Sequence, residues 1–189
     1  MISHKHQCVF VHIPKTGGTS LGKLLLGDLD AYEGKTHSPF SGPYLKFPQY
    51  FKFSFVRNPW DRIVSYYHEK KCLNNVSFSD YIKMIRGDFP EKRRELSRRD
   101  PNVWKHARGY LNFWLPQKSI KHLDYIGKLE SIQSDWETIS KRLNINHPLI
   151  HARKTLDRSP YQDYYDGESK EIVRKLYEED VQYFGYSYE

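Results

Sequence analysis

The stretch Cys8-Val9-Phe10-Val11-His12-Ile13-Pro14-Lys15-Thr16-Gly17-Gly18-Thr19-Ser20 decides the fold. Its first six residues form a short apolar run, the pattern of a buried strand. Pro14 stops the run, and the small residues from Thr16 to Ser20 turn the chain. Leu21, Leu24, Leu25 and Leu29 then follow at helical spacing. The unit reads as strand, glycine-rich loop, helix. A helix start presents amides without intrahelical partners and the positive end of the helix dipole, so it favours an anion. Gly17 and Gly18 permit close backbone approach. Lys15 adds a full charge, and Thr16, Thr19 and Ser20 add hydroxyl donors. An ordinary turn with a surface lysine would leave this combination unexplained. The loop is not a Walker A sequence, in which the lysine follows the glycines. No carboxylate ends a later apolar strand in the Walker B manner, so neither magnesium nor another metal is expected.

A second unit repeats the logic. Phe51-Lys52-Phe53-Ser54-Phe55-Val56 reads as a strand, and Asn58-Pro59 starts a helix as N-cap and first helical residue. Trp60, Ile63, Val64 and Tyr67 mark its apolar face. Arg57 falls at the carboxyl end of the strand, where open α/β sheets bind ligands. Ser65 shares the polar side with Asp61. Further along, Ser77 and Asp80 predict a capped helix to about Ile85, Tyr125 to Leu129 a third strand, and Ser134 with Glu137 the cap of another helix. Gly167 to Asp180 reads as the last helix. Strands alternating with helices predict one α/β domain over residues 1–189, with a central parallel sheet and helices on both faces.

Composition narrows the partners. The 189 residues are 38% hydrophobic and 15% aromatic, enough for a globular core, and the net charge of +7 favours acidic partners. Cys8 and Cys72 form no Cys-x-x-Cys pair, so a zinc site is not expected. No signal peptide or long apolar run is visible, which predicts a cytoplasmic protein without a transmembrane segment. The alternative is the Golgi lumen, if an anchor precedes this chain. The stretch Arg93, Arg94, Arg98 and Arg99 reads as a solvated helix face, or as a track for an anionic ligand.

Taken together, Val9 to Ser20 resembles the 5′-phosphosulfate loop of Golgi-type carbohydrate sulfotransferases and their bacterial relatives. Phe55-Val56-Arg57-Asn58-Pro59 through Ser65-Tyr66 resembles the 3′-phosphate element of the same family. Leu115-Pro116-Gln117, Asp124 to Glu130 with Asp135, and Phe184-Gly185-Tyr186 match in the family's order, so the resemblance covers nearly the whole chain. It implies a P-loop-like three-layer sandwich and a sulfotransferase. The donor would be 3′-phosphoadenylyl sulfate, PAPS, leaving adenosine 3′,5′-bisphosphate, PAP, as product. It places Lys15, Thr16, Gly17, Gly18, Thr19 and Ser20 on the 5′ side, Arg57 and Ser65 on the 3′-phosphate, and a late loop from Arg153 to Ser159 near the adenine. A hydroxyl of a carbohydrate is the expected acceptor, an anionic one if the arginine stretch takes part; no nucleic acid is implied.

In-line displacement needs a base for the acceptor proton. His37 follows the first helix in a loop rich in glycine and proline, where this family often carries its base. Lys15 and His37 are thus the catalytic candidates, with His106 as the alternative base and His12 as a structural histidine. Two rival readings stand beside this one. A P-loop-type nucleotide kinase would require the missing Walker elements. A non-catalytic nucleotide- or polyanion-binding module would require only the basic surface.

Overall fold

The computed structural model describes residues 1–26, 37–149 and 158–189. Leu29, Gly34 to Thr36 and Arg153 to Asp157, which carried sequence expectations, lie outside the described residues. The chain divides into two compact units: Met1–Arg57 with Tyr110–Leu156, and Asn58–Gly109 with Asp157–Glu189.

The first unit holds a four-stranded sheet in the order β1-β2-β3-β4: Ile2–Ser3, Cys8–Val11, Phe51–Val56 and Tyr125–Lys128. β2, β3 and β4 run parallel, with Phe10 beside Phe53 and Phe55 beside Gly127. β1 pairs antiparallel with β2, so the sheet is mixed rather than purely parallel. Only two residues long and leading into His4-Lys5-His6, β1 leaves no period in the sequence. The glycine of β4 has a packing reason. A Cβ on Gly127 would lie 2.5 Å from the Phe55 ring, which covers it from the neighbouring strand.

Helices flank this sheet, giving an α/β fold of the P-loop-like kind. α1 (Gly18–Leu26) and α7 (Ile132–Leu143) bury Leu21, Leu25, Ile132, Trp136 and Ile139 with Phe10, Phe53 and Phe55 of the strands. Cys8 belongs to that core, and burial pushes its thiol up to about 12. Cys8 and Cys72 are both free thiols. Two short helices, α2 (Gly42–Leu45) and α6 (Gln117–Ile120), complete the α-helices described in this unit, with a π-helical turn at Tyr110–Trp114 and a 3-10 turn at Leu129–Ser131. The cap expected at Ser134 is not one. α7 starts two residues earlier, at Ile132, because that side chain belongs to the core, and Ser134 sits within the first turn.

The second unit is helical: α3 (Pro59–Glu69), α4 (Phe78–Arg86), α5 (Pro90–Arg99), α8 (Gly167–Leu176) and α9 (Glu178–Phe184). Two caps follow the sequence: Asn58 accepts from Trp60 N and Ser77 from Asp80 N. The last helix is broken, contrary to the single run expected. Tyr177 leaves the helical conformation while its buried hydroxyl donates to the Ala107 carbonyl. The core also holds a group that the apolar stripe of α3 did not foretell. Arg62 is 1% exposed and lies 5.8 Å over the Tyr177 ring. It donates to the carbonyls of His106 at 3.2 Å and Arg108 at 2.7 Å. A guanidinium thereby ties α3 to a segment built of turns.

Arg62→Ala should remove both hydrogen bonds from the part-buried carbonyls and leave a cavity where the buried side chain packs, costing roughly 3 kcal/mol. Urea unfolding followed by circular dichroism checks this. A midpoint equal to that of the wild type would show that the guanidinium is not needed there.

Candidate active site

The loop after β2 is built from the inside. The Thr16 hydroxyl is buried and donates to the Ile13 carbonyl at 2.9 Å. It closes the turn instead of pointing outward as a ligand donor, so what Thr16 can offer an anion is its backbone. Lys15 and Gly17 both take left-handed backbone, at φ 69° and 84°. Such a conformation is unusual for a lysine and needs support from its surroundings.

The two glycines are required by packing. A Cβ on Gly17 would lie 2.8 Å from Ile132 Cδ1 at the start of α7, and 3.0 Å from Leu129 Cδ1 in the turn between β4 and α7. A Cβ on Gly18 would fall 1.8 Å from His12 Cδ2. α1 starts at Gly18 itself, so Thr19 and Ser20 belong to its first turn. Ser20 N and Leu21 N both donate to the Gly17 carbonyl. The amides of Gly18 and Thr19 come before the first helical carbonyl, the usual position of anion-binding donors. Thr19 is exposed, Lys15 half-buried and Ser20 8% exposed.

Arg57 completes the arrangement within the same unit. Its Nη1 donates to the Lys15 carbonyl at 3.2 Å, linking the turn after β3 to the turn after β2. Tyr110, to which the sequence assigns no role, holds it. The fully buried Tyr110 hydroxyl accepts from Arg57 N at 2.9 Å and donates to Arg57 O at 2.8 Å. No local signal distinguishes this tyrosine from the chain's other tyrosines. Asp135, noted in sequence as a family match, has a comparable role: it accepts from Tyr125 Oη, Lys128 N and Ser131 Oγ at 2.7, 2.8 and 2.8 Å. It anchors the turn that Gly17 packs on.

His37 comes to this site through His12. The His12 ring is 7% exposed, stacks 5.5 Å from Phe10, and lies 4.4 Å from the His37 ring. One face of contacts thus runs from Gly18 through His12 to the half-buried His37. His106 belongs to the second unit, where its ring meets the edge of Tyr66. Ser65 is on α3 of the second unit and half-buried. Asp61, on that same helix, forms an ion pair with Arg158.

The arginine stretch forms α5. Arg94 and Arg99 pair with Glu91 and Glu95 on the same helix, exposed contacts worth little. Arg93 packs 4.7 Å over the Trp104 ring and donates to the Met84 carbonyl. Arg93 is thus a structural arginine. Among the described residues, no group of three or more histidine, cysteine, aspartate and glutamate side chains could hold a metal ion. No described helix is long and apolar enough to cross a membrane.

The profile of the family described as "Sulfotransferase family" matches residues 1–187. The rat protein carbohydrate sulfotransferase 10 is 26% identical over 239 aligned residues, covering 98% of this chain and 66% of the relative. Its Xenopus laevis and human counterparts are 27% and 25% identical, again over 98% of this chain. The chain therefore spans about two thirds of the length of these relatives, 66% in each case. No solved structure matches the chain.

Gly18→Ala should cost roughly 1–3 kcal/mol, the range for forcing a methyl into a packed place. The His12 ring has to move for the methyl to fit. Denaturant unfolding measures the loss. An unchanged midpoint would mean that the His12 ring has room that the geometry does not show.

Proposed function

The chain belongs to the sulfotransferase family, and from that premise we propose that it moves the sulfuryl group of 3′-phosphoadenylyl sulfate to a hydroxyl of a carbohydrate. The observation that carries this reading is the link between Arg57 and the Lys15 carbonyl. It sets two anion-seeking turns side by side at the carboxyl ends of β2 and β3, the place where such sheets bind nucleotides. A donor with phosphate at both its 5′ and 3′ positions needs two such turns. A general polyanion-binding surface would need neither the turns nor their link.

The residues present fit such a donor. Glycines at 17 and 18 leave the backbone bare of side chains, and the first amides of α1, the Lys15 ammonium and the hydroxyls of Thr19 and Ser20 supply donors. When bound, the donor contributes the sulfuryl group and a phosphate leaving group. Lys15 and the amides of Gly18 and Thr19 balance charge that grows on the oxygen leaving sulfur. Arg57 donates to the Lys15 carbonyl, and the planar guanidinium fork has the geometry and charge that suit the 3′-phosphate. The assignment of Ser65 to that phosphate rests on the family resemblance alone. His37, in its neutral form, accepts the acceptor proton, and His12 packs against it to fix the ring. A metal has no role in this scheme, since positioning and fixed charge supply the catalysis.

The carbohydrate acceptor is inferred from the names of the relatives. Polysaccharide biosynthesis is the process such a transfer would serve. The cytoplasmic location expected from the sequence gains no support. The likeness to Golgi-type carbohydrate sulfotransferases supports the luminal alternative.

The test is transfer of labelled sulfuryl from the donor to a panel of glycans, with wild type and two variants. The wild type should label at least one glycan. Lys15→Ala should lose roughly 10²–10³ in kcat, as removal of one transition-state donor does. His37→Ala should lose roughly 10²–10⁴ in kcat, keep its affinity for adenosine 3′,5′-bisphosphate, and lose the acidic limb of the kcat/KM profile. Near-normal kcat in Lys15→Ala would remove that residue from the chemistry. A surviving acidic limb in His37→Ala would pass the base to another residue, His106 first.

A further inference from the structure

A second concave place lies in the first unit, and the donor chemistry makes no use of it. It is a depression of about 420 Å³ at the amino ends of the strands. Gln7 precedes β2, Tyr50 and Phe51 stand at the start of β3, and Asp124 precedes β4. Lys15 and Arg57 follow the opposite ends of β2 and β3. Strands of this length separate the two edges by roughly 13–20 Å. The volume lies in the range that holds a small organic ligand.

The lining has a definite chemistry. Lys5 and Arg142 both border the depression, and neither forms an ion pair among the described residues. Asp124 is the carboxylate of the lining, and its Oδ2 already accepts from Lys52 N at 2.7 Å. The side-chain amides of Gln7, Gln49 and Asn144 can each donate and accept. Tyr50 stacks on Phe47 at 5.0 Å, and its hydroxyl is 2.8 Å from His4 Nδ1. Gln7 holds left-handed backbone at φ 48°, an uncommon conformation for that residue and one found preferentially at functional sites.

A sugar meets each of these features. Its hydroxyls give and take hydrogen bonds, as amides do. Its C–H face is apolar and suits an aromatic ring. An acidic substituent would meet these two cations, which have no carboxylate partner among the described residues. We propose that this depression binds an acidic monosaccharide unit, one carrying a carboxylate or a sulfate. The site is separate from the donor loop, and its binding does not require the transferase reading.

Calorimetric titration of the full chain tests this with four probes: methyl glucuronide, glucose 6-sulfate, methyl glucoside and inorganic sulfate. At least one acidic sugar should bind saturably, about tenfold or more tighter than methyl glucoside and than sulfate. The first two probes tell carboxylate from sulfate recognition. The variant carrying Lys5→Gln and Arg142→Gln, both at exposed positions, should lose about tenfold or more of that affinity. Its affinity for adenosine 3′,5′-bisphosphate should match that of the wild type, which also shows that it is folded. No saturable sugar binding, equal binding of methyl glucoside, equal binding of sulfate, or a variant that binds the acidic sugar as well as wild type would each overturn the proposal. Failure of the nucleotide to bind wild type would count against the transferase reading instead, and the sugar titrations would still decide this one.

Discussion

The hydrogen bond from the Arg57 guanidinium to the Lys15 carbonyl joins the two turns on which the site is built. Lys15 is held in left-handed backbone, and an acceptor of its own peptide plane is fixed by a donor from the next strand's turn. Arg57 can provide that donor because Tyr110 grips both its amide and its carbonyl. β2 and β3 are in parallel register, with Val11 beside Ser54, and the Ser54 hydroxyl donates to the Val11 carbonyl at 2.8 Å. The turns therefore leave the sheet at the same edge. Cation, helix start and guanidinium converge because neighbouring strands end together.

The glycines of the loop illustrate how packing and chemistry coincide. Gly17 is pressed against the β4–α7 turn, and Gly18 against His12. The same lack of side chains leaves the loop backbone open to a ligand. His12 is the pivot: its ring covers Gly18 on one side and meets His37 on the other. A change at Gly18 would thus be felt at the residue assigned as base, through one intervening ring.

Much of this was legible from local pattern. The apolar runs of β2, β3 and β4, the Asn58-Pro59 start and the Ser77 cap are all features of short sequence windows, and the structure contains each of them. What escaped has a common cause. β1 is too short to show a period, and its antiparallel pairing with β2 depends on a tight turn of polar residues. The break at Tyr177 depends on the Ala107 carbonyl, 70 residues away in sequence. Arg62 lies outside the apolar stripe of α3 read from the sequence, yet it is buried and bonds to carbonyls more than 40 positions on. The grip of Tyr110 on Arg57 likewise joins residues that no short window of sequence contains; the Thr16 hydroxyl bonds only three residues back, at Ile13, but its inward direction follows from burial and not from spacing. The candidate loop was visible as chemistry, while the partners that hold it in place were visible only as geometry.

The central claim is that the two linked turns read a nucleotide phosphorylated at both ends. Calorimetry with adenosine 3′,5′-bisphosphate and with adenosine 5′-monophosphate, on wild type and on Arg57→Ala, measures it most directly. Charge-assisted bonds of this kind are worth about 1.5–3 kcal/mol. The wild type should therefore prefer the bisphosphate by at least about tenfold, and Arg57→Ala should erase most of that preference. Equal wild-type affinity for the two nucleotides would contradict the account.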